Sequence, residues 1–243
     1  MRKPVLYIQA HPSNKRYPLF DFCEVAKRGA EQCGIKVKLF QDSETIPGYP
    51  TNIVVGSVEM CAKWLTLNGY KVPQCIDLDL LPEFLGREIT ITHIKDVKFP
   101  TFIKPYSQIK AFTGFSASSQ LYIDLFAEDY DGLVWSQEIV DIVSEYRLYI
   151  TENGISDSML GLKHYSGDSL VFPDADFIRA CVGKSKEVLN YRSYTLDFGV
   201  LEDGRTILIE PNDGWACGNY GLEPNDYYKF VKNRWLQITG VLK

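Results

Sequence analysis

The sequence predicts a mixed α/β (α+β) protein, with a small parallel α/β unit first and antiparallel sheets after it. Three observations predict this. Over roughly residues 1–85, short apolar strand-like runs alternate with amphipathic stretches. From about residue 89 the chain turns to successive strand-like segments separated by polar, Gly- or Pro-containing turns. At 243 residues and 45% hydrophobic content, it can bury the core of one large domain or of two or three small subdomains.

Val5–Ile8 reads as a short buried strand. Leu19 to Cys33 has no Gly or Pro before Gly29 and reads as a helix. Ile35–Phe40 alternates apolar and basic residues, as a half-buried strand does. Ile53–Val55 runs through Gly56 into a helix with Ser57 near its N-cap, and Asn68-Gly69 stops that helix. Strand-like segments follow at Ile89–Ile94, Thr101–Lys104, Lys110–Phe115, Leu133–Val140, Glu145–Ile150 and Ser158–Leu162. A helix fits Ala175–Val182, with Asp174 as its cap. Tyr194–Leu201 and Thr206–Glu210 form a hairpin through Glu202-Asp203-Gly204. Asn225–Ile238 reads as a final helix, and the cluster Trp215, Tyr220, Tyr227, Tyr228 and Trp235 reads as the core beneath it, with a dimer surface as the alternative.

Composition narrows the function. The net charge is −5 and there is no long basic run, so a nucleic-acid groove is not supported. Six cysteines form no C-x-x-C pair and three histidines lie far apart, which argues against a zinc site. The cysteines read as free thiols of a cytoplasmic protein. The apolar run near Met1 is too short for a signal or a membrane span.

The chemistry concentrates in three segments. In Ile207-Leu208-Ile209-Glu210-Pro211-Asn212, strand alternation lets Glu210 and Asn212 point the same way, and hairpin pairing brings Asp197 to the same end. Hard oxygen ligands of this kind suit magnesium that also holds nucleotide phosphates. Alone, acids at a hairpin end are usually solvated. In Phe102-Ile103-Lys104-Pro105 a lysine, a compact charge suited to phosphate oxygens, closes an apolar strand; Lys110 and Thr113-Gly114 follow in a loop. No Walker pattern and no G-x-G-x-x-G is present. Val134 to Val140, with Glu138, followed by Glu145-Tyr146-Arg147, is an apolar strand leading into a linker that can face an adenine edge.

In this order the segments resemble the ATP-grasp superfamily. The likeness is nearest to the small bacterial and phage ATP-grasp proteins, through Phe102 to Pro105, Lys110-x-Phe112-Thr113-Gly114, His164-Tyr165-x-Gly167-Asp168 and Glu210-Pro211-Asn212-Asp213-Gly214-Trp215. It spans roughly residues 85–240. It implies an N-terminal Rossmann-like subdomain over 1–88 and an ATP-grasp domain over 89–243, with lobes 89–140 and 141–243. It implies ATP and Mg2+ as cofactors. Lys104 and Lys110 would meet phosphates; Glu138, Ile139 and Val140 would line the adenine pocket; Glu145 would hold the ribose; Arg147 would face phosphates or substrate. Asp197, Glu210 and Asn212 would bind magnesium. The family chemistry activates a carboxylate as an acyl phosphate for attack by an amine, so the implied partners are a small-molecule or peptide carboxylate and an amine.

One departure matters. Related ligases carry an arginine two positions before the metal-binding aspartate, where this chain has Thr195. The cations available to neutralise an acyl phosphate are Arg87, Lys163, His164 and Arg192. Alternatives are a phosphotransferase on the same fold and a nucleotide-binding module without catalysis. A glycosidase-like carboxylate pair ranks below these.

Overall fold

The computed structural model describes residues 3–11, 19–107, 111–151, 159–167 and 170–242. Three sheets organise the described residues. The first is parallel, in the order β2-β1-β3, from β1 (Val5–Gln9), β2 (Lys36–Phe40) and β3 (Asn52–Val55). Helix α1 (Asp21–Gln32) makes the crossover from β1 to β2 that a parallel pair needs, and helix α2 (Val58–Leu67) follows β3. Ser57 caps α2, its hydroxyl accepting from the Met60 N–H at 3.3 Å. Gly69 then takes φ +74°, the left-handed conformation that ends the helix.

The second sheet is antiparallel, in the order β4-β7-β5-β6, from β4 (Ile89–His93), β5 (Thr101–Pro105), β6 (Phe115–Ala117) and β7 (Leu133–Gln137). The expected strand at Lys110–Phe115 is not found. Lys110 lies outside the described residues, residues 111–114 form no strand, and pairing starts only at Phe115. Helix α3 (Gln120–Phe126) had no sequence signal. Its Leu121, Tyr122, Leu125 and Phe126 are exposed and only Ile123 is buried, so no inward 3.6-residue stripe marks it.

The third sheet is antiparallel, in the order β11-β10-β8-β9, from β8 (Ile142–Thr151), β9 (Met159–Ser166), β10 (Ser193–Leu201) and β11 (Thr206–Asp213). Helix α4 (Ala175–Val188) covers one face, and the Asp174 carboxylate caps it by accepting from the Phe177 N–H at 2.7 Å. The core on that face joins Leu148, Leu196, Phe198 and Cys181 to Ile76, Leu78, Leu81, Phe84 and Leu85. Residues 76–85 therefore pack with the third sheet, although they precede the boundary expected at 88.

Helix α5 (Pro224–Ile238) crosses that boundary in the other direction. Tyr228, Phe230 and Trp235 belong to one core with Leu6, Ile8, Val54 and Trp64 of the first unit. The Trp64 and Trp235 rings meet edge-on at 5.6 Å. Of the aromatic cluster expected under the last helix, Trp215, Tyr227, Tyr228 and Trp235 are buried and Tyr220 is exposed. All six cysteines are free. Among the described residues, no helix is long and apolar enough to cross a membrane.

Candidate nucleotide site between the second and third sheets

The β10–β11 hairpin builds the centre of the site. Its turn places Gly204 at φ +85°, and regular pairing follows from Val200–Thr206 to Phe198–Leu208. Continued unchanged, that register would set Ile209 opposite Asp197. A β-bulge at Ile209 shifts it by one residue and sets Glu210 opposite Asp197 instead. Because strand side chains alternate, that single residue decides which face Glu210 and Asn212 occupy. On β8, Arg147 is the cross-strand partner of Asp197, and on β9 Lys163 is the partner of Arg147. Lys163, Arg147, Asp197 and Glu210 thus form one row across all four strands.

Arg147 binds Asp197 side-on, with Nε donating to Oδ1 at 2.7 Å and Nη2 to Oδ2 at 2.6 Å. Asp197 is 1% exposed, so an unpaired charge there would be costly. Burial pushes its carboxyl up to about 6, and the Arg147 guanidinium pulls against that shift. Asn212 Nδ2 donates to Asp197 Oδ2 at 3.3 Å and to Glu210 Oε1 at 3.1 Å. From β5 of the facing sheet, Lys104 Nζ donates to Glu210 Oε2 at 2.5 Å. Burial raises the Glu210 carboxyl, but Lys104, Asn212 and Arg147 together outweigh burial and leave it below the ordinary value.

These groups open on a cavity of about 480 Å3, lined among others by Lys104, Thr113, Gly114, Trp135, Arg147, Glu210 and Asn212. The structure therefore brings Lys104, Arg147, Asp197, Glu210 and Asn212 together. Glu145, two residues before Arg147 on the same face, hydrogen-bonds Tyr165. Glu138, Ile139 and Val140 sit on the connection between the second and third sheets, and the Glu138 carboxylate accepts from the Glu88 N–H at 3.1 Å.

Three of the four expected cations are placed elsewhere. His164 pairs with Tyr146 on the face opposite the acids and meets its ring at 5.1 Å, because adjacent strand residues point to opposite sides. Arg192 precedes β10; its N–H donates to Gln237 Oε1 and its carbonyl accepts from Thr151. Arg87 directs its N–H groups to Gln137 Oε1 and to the carbonyls of Leu85, Leu208 and Ile209, all within 3.0 Å. Lys163 alone stays in the row of the acids. Lys110 and Asp168 lie outside the described residues.

Sequence reasoning named Tyr165 in a motif and Tyr220 in an aromatic cluster but gave neither a place in the site. Their rings stack at 4.8 Å, and the Arg147 guanidinium lies 4.7 Å from the Tyr220 centroid. A bulge in β9 makes Tyr165 the extra residue between the partners of Glu145 and Tyr146. It also missed the bidentate pair of Arg234 with Asp213, which ties α5 to the end of β11.

Residues 84–230 match the family model of the ATP-grasp domain, R2K clade family 2. The chain belongs to that family. The ATP-grasp fold is also seen in solved structures that resemble it. N5-carboxyaminoimidazole synthetase from Staphylococcus aureus aligns with a TM-score of 0.59 at 10% identity, over 96% of this chain and 77% of that one. The RimK domain protein ATP-grasp from Sphaerobacter thermophilus gives 0.58 at 13% identity, over 98% and 99%. N5-carboxyaminoimidazole synthase from Aspergillus clavatus, in complex with ADP and 5-aminoimidazole ribonucleotide, gives 0.58 at 11% identity, over 95% and 76%. No curated protein matches the chain. At these identities the structural likeness speaks for the ATP-grasp fold alone.

Proposed function

We propose that this ATP-grasp protein is an ADP-forming carboxylate–amine ligase acting in a reducing cytoplasm. The observation that carries the reading is the meeting of Lys104, from the second sheet, with Glu210 and Asn212, from the third, at one cavity, with the buried Asp197 bonded to Asn212 behind them. A phosphate chain entering there would find a lysine on one wall and oxygen ligands on the other. The donor set fits magnesium. Asn212 reaches both carboxylates, so the three side chains lie within range of one ion, and the ion takes one or two carboxylates together with phosphate oxygens. Bound there, magnesium would neutralise charge between the terminal phosphates.

In this reaction a carboxylate oxygen attacks the terminal phosphorus of ATP and ADP leaves. The amine nitrogen then attacks the acyl carbon, loses a proton, and phosphate leaves. The chain's own residues position the reactants and balance charge. Lys104 holds phosphate oxygens, with Lys110 assigned to the covering loop. Arg147 keeps Asp197 ionised and adds a positive wall to the cavity, which supports it as the cation that Thr195 does not supply. Glu145 is the candidate for ribose hydroxyls. Glu138, Ile139 and Val140, on the inter-sheet connection, are the candidates for adenine.

Calorimetric titration with ATP, with and without magnesium, tests this. Tight binding should require magnesium, and Lys104→Ala and Glu210→Ala should each weaken it about ten- to hundredfold, as expected for losing a hydrogen bond to a charged group. Absence of ATP binding by the folded protein would end the proposal. Release of ADP and phosphate should then require both an acid and an amine. A stable phosphorylated product formed without amine would turn the assignment to a phosphotransferase.

A further inference from the structure

Arg87 was expected to touch substrate, and its bonds point to a different task. The β-bulge at Ile209 is what turns Glu210 toward Asp197, and Arg87 grips the peptides at that bulge. Nη1 donates to the Leu208 carbonyl at 2.8 Å and Nη2 to the Ile209 carbonyl at 2.9 Å. The rest of the guanidinium is fixed from behind. Nε and Nη2 both donate to Gln137 Oε1, at 3.0 and 2.7 Å, and Nη1 donates to the Leu85 carbonyl at 2.9 Å. Every N–H of the fork is used, and Gln137 is 4% exposed at the end of β7. A bulge interrupts the regular ladder and needs outside support to stay in one place. A planar fork with five donors can bind two successive carbonyls and a side-chain amide together; an ammonium cannot.

We infer that Arg87 is a positioning residue: it holds the Ile209 bulge so that Glu210 faces Asp197, and it thereby assembles the oxygen cluster without touching ATP or substrate. This rests on the reading of that cluster as the magnesium and phosphate site. The same fork spans both lobes, since Gln137 belongs to the second sheet and Leu208 and Ile209 to the third. The cluster is therefore aligned with Lys104 on β5, which lies next to β7.

Register arithmetic supplies the test. Deleting Ile209 removes the extra residue, so the ladder runs on regularly from Leu208 and still sets Glu210 opposite Asp197. A chain lacking Ile209 no longer needs the grip. The experiment is the same ATP titration, with and without magnesium, on Arg87→Met, Arg87→Lys, the Ile209 deletion and the deletion combined with Arg87→Met, each checked for folding by circular dichroism. Arg87→Met should lower magnesium-dependent affinity about 10- to 100-fold, the usual effect of losing a residue that orients metal ligands. Arg87→Lys should lower it equally, because charge alone does not hold the bulge. The deletion should bind like the parent protein and should make Arg87→Met nearly silent. If Arg87→Met alone fails to fold while the combined variant folds and binds, the suppression still supports the inference. Equal losses with and without Ile209, restoration by lysine, unchanged affinity in Arg87→Met, or a deletion variant that neither folds nor binds would each overturn it. Loss of magnesium dependence in the parent protein is a separate outcome, and it would instead remove the reading of the cluster on which this rests.

Discussion

Arg147 and Asp197 are the residues on which most of the site's charge balance depends. Asp197 is buried and both its oxygens accept from one guanidinium. Arg147→Met should lower stability by about 3–5 kcal/mol, because it strands a buried carboxylate. Adding Asp197→Leu should restore most of that loss, since a well-packed apolar pair can replace a buried ion pair. The midpoint of urea unfolding reads both changes. A single substitution that costs nothing would mean the pair is solvated. Glu210 and Asn212 were legible as a pair, with Asp197 at the same end, because alternation and a hairpin turn are local signals; Lys104, 106 positions from Glu210, was joined to them only by the resemblance. Arg147 as the partner of Asp197 was not legible, because β8 and β10 pair across a separation of fifty residues in sequence. Alternation alone says that Lys163 and His164 cannot both face the acids, but only the pairing with β8 shows that Lys163 is the one that does.

At the scale of elements, close approach decides more than propensity. A Cβ on Gly29 of α1 would stand 1.9 Å from the Pro224 carbonyl oxygen at the start of α5. Gly29→Ala should therefore push the two helices apart and lower stability by about 1–3 kcal/mol, although alanine is the better helix former. A stabilised variant in a thermal melt would refute that contact. Asp174→Ala removes the cap of α4 and should cost about 1 kcal/mol in the same melt, with little effect on ATP binding. The caps, turns and central strands were readable because Ser57, Asp174, Gly69 and Gly204 act within a few residues. Helix α3 was not, because its large apolar residues face outward. Nor was the Ile209 bulge, which no turn signal announces and which only the register between two strands reveals.

For the whole molecule, the order of the chain and the order of the cores differ. A division at residue 88 follows the change from parallel to antiparallel texture, yet residues 76–85 pack under the third sheet and α5 packs on the first. Trp235 touches both Trp64 and Trp215, and its indole N–H donates to the Trp215 carbonyl at 3.0 Å. Trp235→Ala should cost about 3–5 kcal/mol. It should shift the unfolding of the first unit and the ATP-grasp domain together, seen as one displaced transition in calorimetry. Two separated transitions would mean that the shared core does not couple them.

That shared core also bears on how the protein is made. Cys33 of the first unit and Asn225 of α5 are 192 positions apart and their side chains are 3.0 Å from each other. During synthesis β1, β2 and β3 emerge early, but the helix that covers Trp64 and Ile8 is translated long afterwards. The nascent first unit must keep an apolar face open until α5 has emerged. Contacts of such long range close slowly, and an open face invites aggregation or a chaperone. The first unit thus finishes folding only after α5 has been made.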